Sequence, residues 1–172
     1  PQLTAALGRN HARQIEAPAL FEIGRVFGRD AADGSPHEET RLAMGFCGPF
    51  GRQTIDRRRP VGNEEALLWL KGLIEALLAR LHAGEPTLTP AACSAFEPGW
   101  SAEIALDGVA VGRLGLVRAA LRHPWRLHAP MAVAEMRFAP LLARVGSLAP
   151  LRPVPAYPAV RRDLALVVPP EV

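Results

Sequence analysis

The chain has 172 residues, 49% of them apolar and 22% charged, with a formal net charge of +3. That length suits one domain of ordinary size, or one domain and part of another, and the apolar content supports a packed core and excludes wholesale disorder. The small charge excess excludes a polycation. Lys71 is the only lysine, so the basicity is an arginine bias of the kind that base composition produces, and Arg57-Arg58-Arg59 is the only compact basic run. No apolar run is long enough to cross a bilayer, and the start lacks a signal peptide's basic and apolar regions. Cys47 and Cys93 lie far apart without a Cys-x-x-Cys pattern, which fits a reducing cytoplasm and no zinc site. The chain lacks an initiator Met, and we expect it to be a fragment.

Residues 1–15 read as a short helix carrying Leu3, Ala6 and Leu7. Leu20 to Phe27 reads as a strand with Phe21, Ile23 and Phe27 on one face, interrupted by Arg25. Residues 28–40 read as a polar loop with Asp33-Gly34 and Ser35-Pro36 turn signals. Arg41 to Cys47 is a second strand with Leu42, Met44 and Phe46 inward and Cys47 as a small core residue. The pair forms an antiparallel hairpin with a long loop. Residues 48–62 are turn-rich and basic.

The clearest helix follows. Asn63 is the expected N-cap, and Glu64 and Glu65 put negative charge in the first turn, where the helix dipole favours it. Leu67, Leu70, Ile74, Leu77, Leu78 and Leu81 form an apolar stripe, widened by Leu68, Trp69 and Leu73. Gly84 is the expected C′ residue. We read Leu67, Trp69, Leu70 and Leu73 as a packing or subunit-interface surface.

Residues 85–99 form a Pro-rich connection. Ala102–Leu106 and Val109–Val117 flank Asp107-Gly108, a pair suited to a two-residue type I′ turn. Gly112 and Gly115 inside the second arm predict a bulge or a close backbone approach. Residues 119–128 read as a short helix or irregular link, Val133 to Phe138 as a strand and Pro140 to Val145 as a helical turn. Residues 148–158 are Pro-rich and extended, and Asp163 to Val168 opens a further strand at the chain's end. Antiparallel strand pairs with one dominant helix define an α+β fold.

Candidate chemistry is sparse. His11, His37, His82, His123 and His128 show no metal-ligand spacing. Gly112-Arg113-Leu114-Gly115 lacks the strand-to-helix context of a phosphate loop. Ser94, Ser101, His123 and Asp163 form no recognisable nucleophile motif. Glu22 and Glu135 sit inside apolar strands, where alternation points them outward; the alternative is a buried pair with Arg25 or Arg137. Trp69, Trp100 and Trp125 read as packing or interface anchors. Arg57 to Arg59 reads as a solvated loop, since no aromatic residues interleave for base stacking.

Five segments, in order, resemble the beta subunit of bacterial phenylalanyl-tRNA synthetase. They are Asn10-His11-Ala12-Arg13 leading to Leu20-Phe21-Glu22-Ile23-Gly24-Arg25-Val26-Phe27; Leu70-Lys71-Gly72; Pro98-Gly99-x-Ser101-Ala102; Asp107-Gly108 with Gly112-x-Leu114-Gly115; and Tyr157-Pro158 through Asp163-Leu164-Ala165. The chain departs from the family at Glu97, Trp100, Arg118-Ala119 and around Ala66 to Trp69. The resemblance implies an antiparallel sheet with flanking helices, similar to the class II aminoacyl-tRNA synthetase catalytic fold. It implies a non-catalytic catalytic-like module over 1–148, incomplete at its N-terminus, a linker over 149–158, and the start of a ferredoxin-like anticodon-binding domain over 159–172. It implies a scaffold that assembles with the alpha subunit (two alpha and two beta chains) and binds tRNA, with Arg161 and Arg162 as tRNA contacts. The fragment itself is expected to be inactive and free of cofactor; ATP and Mg serve the whole enzyme, which is cytoplasmic. The other readings of the chain are a free-standing RNA-binding or protein-interaction module, using Arg57 to Arg59 and Arg161 with Arg162, and an unrelated hydrolase or transferase.

Overall fold

A computed structural model describes residues 2–30, 33–50 and 60–145, with residues 160, 162, 163 and 165 near the end. Helix α1 (Gln2–Ala12) leads into strands β1 (Ala19–Arg29) and β2 (Pro36–Cys47); helix α2 (Asn63–Leu81) follows, then β3 (Thr87–Pro90), β4 (Phe96–Leu106) and β5 (Val109–Val117). The short helix α3 (Ala119–Arg122), a 3-10 turn (His123–Trp125), β6 (Met131–Arg137) and α4 (Phe138–Leu142) complete it. The strands make one antiparallel sheet in the order β1-β2-β6-β5-β4-β3.

The sheet is covered on both faces. On one, Leu42 and Phe46 of β2, Ala132, Ala134 and Met136 of β6 and Leu114 and Leu116 of β5 pack with Ala66, Leu70, Ile74 and Leu78 of α2. Those four helix positions recur every fourth residue, so a single stripe of α2 does the burying. On the other face, Leu3 and Leu7 of α1 pack with Cys47, Val117, Leu127 and Met131. Cys47 is fully buried, as its apolar alternation predicts, and burial pushes its thiol pKa up to about 11. A thiol kept neutral by the fold stabilises it below the unfolded-state pKa, and that contribution disappears as pH rises through the folded value. Stability is therefore expected to fall by about 2–3 kcal/mol more in the native protein than in Cys47→Ala across roughly pH 9 to 11. Thermal melts of both at each pH measure it; parallel profiles would refute it.

Four local expectations need correction. The segment 28–40 is largely strand: Arg25–Arg29 pairs with Pro36–Thr40 in a two-stranded ribbon running past the region where β2 pairs with β6. Its charged residues disguise it, because a ribbon with no third strand needs no apolar face. Within its turn the Asp33 carboxylate accepts the Ser35 N–H at 2.9 Å, which lowers its pKa. Asn63 is the first helical residue, and extended Gly62 occupies the cap without a side chain to close it. At the other end His82 takes the left-handed conformation (φ 52°), two residues before Gly84. The Pro-rich connection contains edge strand β3, which tolerates Pro90 because an edge N–H need not bond. Asp107 and Gly108 both have positive φ, 49° and 75°, as the type I′ turn requires.

Candidate interaction surfaces

Pleating places alternate residues of β1 on opposite faces. Phe21 and Ile23 pair across the ladder with Met44 and Leu42, so they lie on the α2 side of the sheet. Helix α2 packs over β5 and β6 and stops short of the edge. Phe21, Ile23 and Phe27 are consequently 73%, 53% and 77% exposed, an uncovered apolar row on an edge strand. Monomeric surfaces seldom leave such a row without a use.

Helix α2 adds to that side. Leu68 and Trp69 are 58% and 40% exposed, while Leu70 is fully buried. Trp69 meets Phe50 edge-on at 6.5 Å, and Phe50 stacks on Phe46 at 4.7 Å. Of the four residues read as packing or interface, Leu70 lies in the core, Leu67 and Leu73 pack against it, and Trp69 looks outward.

The opposite face of the sheet, beyond α1, carries a charged ladder. Arg41 lies between Glu39 and Glu135, donating at 3.1 Å and 2.9 Å, and Arg137 sits 3.9 Å from Glu39. Partial burial disfavours the Arg41 charge, but the hydrogen bonds and attraction of the two glutamates outweigh that and raise its pKa. Glu135 is thus outward-pointing and paired, with Arg41 rather than Arg137; Glu22 is exposed, and Arg25 bonds Glu38 at 2.8 Å. Such exposed pairs contribute about 0.2–1 kcal/mol each. No group of three His, Cys, Asp or Glu side chains suited to a metal occurs among the described residues. Arg162 is exposed; Arg161 and Arg57 to Arg59 lie outside the described residues, as do the proposed linker over 149–158 and most of 159–172.

The sheet with its flanking helices is the fold of class II aminoacyl-tRNA synthetase catalytic domains. Two structures of pyrrolysyl-tRNA synthetase from Desulfitobacterium hafniense superpose on 83% of this chain with TM-scores of 0.61 and 0.59, at 15% and 17% identity and 46% coverage of the other chain. The family model described as the phenylalanyl tRNA synthetase beta chain CLM domain matches residues 1–138. The chain belongs to that family. Phenylalanine–tRNA ligase beta subunits from Symbiobacterium thermophilum and Xylella fastidiosa are 32% and 36% identical over 98% and 100% of this chain. That of Xanthomonas campestris is 35% identical over 98%. The chain spans about a fifth of these relatives, 18% to 21% of their length.

Proposed function

We propose that the chain is a scaffold segment of the beta subunit of a phenylalanine–tRNA ligase, which joins phenylalanine to its tRNA at the expense of ATP. In this reading the segment performs no chemistry: it seats the alpha subunit, which handles ATP and Mg, and leads through Arg161 and Arg162 to an anticodon-binding domain. Two alpha and two beta chains assemble in the cytoplasm.

The observation that carries the reading is the exposed row Phe21, Ile23 and Phe27, with Leu68 and Trp69 on the same side of the sheet. An apolar surface of this kind is stable in water when a partner covers it. The charged face supports the same view, because the Arg41 guanidinium is already engaged by carboxylates.

The test is co-purification of the whole beta subunit with its alpha subunit. Native chains are expected to associate, and Phe21→Asp with Ile23→Asp to weaken association by at least about a hundredfold, since each substitution places a desolvated charge in an interface. Association of the double variant at native strength would eliminate this surface; failure of native beta to bind alpha would eliminate the scaffold reading.

A further inference from the structure

Residues 2–15 and 118–130 contain Arg9, Arg13, Arg118, Arg122 and Arg126 with His11, His123 and His128, and not one aspartate or glutamate. The fold packs these segments together. Leu3 and Leu7 share a cluster with Leu127 and Met131. The Trp125 ring lies on the backbone of Gly8, so close that a Cβ there would sit 2.2 Å from it. That contact sets the last turn of α1, which carries Arg9, against the 3-10 turn that Arg126 closes.

Among the described residues Arg122 is the one arginine of the set with an acidic partner, Glu97 at 3.5 Å. Arg118 is exposed, with its Nε donating to the Phe96 carbonyl oxygen at 2.8 Å. Arg9, Arg13 and Arg126 are exposed and make no ion pair among the described residues. Helix polarity accounts for Arg9 in the last turn of α1, where a cation is favoured. It does not account for Arg13, beyond the helix, or for Arg118 and Arg126 on another segment. Like charges gathered on one surface repel, and a polyanion relieves that repulsion while releasing its own counterions.

We propose that this surface binds the phosphate backbone of tRNA, with Arg9, Arg13 and Arg126 as the contacts. The inference rests on the reading of the protein as a tRNA ligase subunit, and it assigns RNA binding to residues outside the anticodon-binding domain. Trp125 acts as the clamp that holds the two basic segments together, since its ring is occupied by Gly8 rather than open to a base.

The test compares the native alpha–beta assembly with one carrying Arg9→Ala, Arg13→Ala and Arg126→Ala, using phenylalanine tRNA transcript in filter binding over a salt series. The triple variant is expected to bind about tenfold more weakly near 0.1 M salt and to lose about two to three units of the log K against log salt slope. Arg-to-Lys exchange at the same positions should keep the native slope, and Arg80→Ala, on α2, should leave it unchanged. ATP–pyrophosphate exchange with phenylalanine should be unaffected in all variants. A native slope in the triple alanine variant overturns this proposal and leaves the ligase reading standing. Absence of tRNA binding by the native assembly overturns the ligase reading itself.

Discussion

Gly112→Val is expected to cost about 3–5 kcal/mol and to leave the sheet unfolded or rearranged. Strands β5 and β6 approach so closely at this point that a Cβ on Gly112 would lie 2.3 Å from the Glu135 carbonyl oxygen and 2.8 Å from Met136 Cα. Both obstacles are backbone, so no side-chain rotation relieves the clash and the ladder itself must move. β5 and β6 are the middle strands of the sheet, each bonded on both edges, so the disturbance spreads to both hydrophobic clusters. Gly72 supplies the contrast: it lies on the exposed side of α2 with nothing within 4 Å of its notional Cβ. Gly72→Ala is expected to raise stability by about 0.5–1 kcal/mol, because alanine loses less backbone entropy in a helix. Denaturant titrations of both variants decide the matter, and a Gly112→Val protein as stable as the native one would refute this close approach of β5 and β6.

Arg122→Met is expected to cost about 2–4 kcal/mol and to loosen residues 119–130 first. The side chain is 12% exposed. Its Nη1 donates to the Ala129 and His128 carbonyl oxygens at 2.6 Å and 3.2 Å, and its Nη2 reaches Glu97 at 3.5 Å. The same Glu97 oxygen accepts the Ala119 N–H at 2.7 Å, tying α3 to β4. Methionine fills the volume but leaves Glu97 without its cation and two carbonyls without a donor. Lysine should restore part of the loss, since one ammonium cannot span the same acceptors as a planar guanidinium. Amide exchange reads the effect locally: faster exchange at Ala119 and through 126–131, with β2 unchanged, is the expected pattern. Uniform acceleration across the sheet, or none, would show that Arg122 does not act as this tie.

Much of the fold was legible in the residues because local physics decides it. The three- and four-residue spacing of Leu70, Ile74, Leu77 and Leu78 can serve only a helix with one buried stripe, and Asp107-Gly108 meets the left-handed demand of a tight hairpin directly. Gly112 announced a close approach, though not which strand approaches. Elements that depend on distant partners were harder to see. The ribbon over 36–40 and strand β3 depend on cross-strand partners distant in the chain, and their charges and prolines resemble those of loops.

The candidate surfaces divide in the same way. Alternation placed Phe21, Ile23 and Phe27 on one face of a strand, and in most proteins that is the buried face. Only the sheet order makes β1 an edge, and only the position of α2 over β5 and β6 leaves that row in water. Arg41 could not be matched to Glu135 along the chain, since the pair is created by the β2–β6 register. The acid-free composition of residues 2–15 and 118–130 was present in the sequence, but it describes one surface only because Trp125 closes onto Gly8. The sequence by itself determined the α+β class, the dominant helix, the hairpin turn and the resemblance to its family, because each depends on residues near one another in the chain. The tertiary structure alone decided which apolar residues remain exposed and which charges meet, because burial and ion pairing depend on neighbours that only the folded chain supplies.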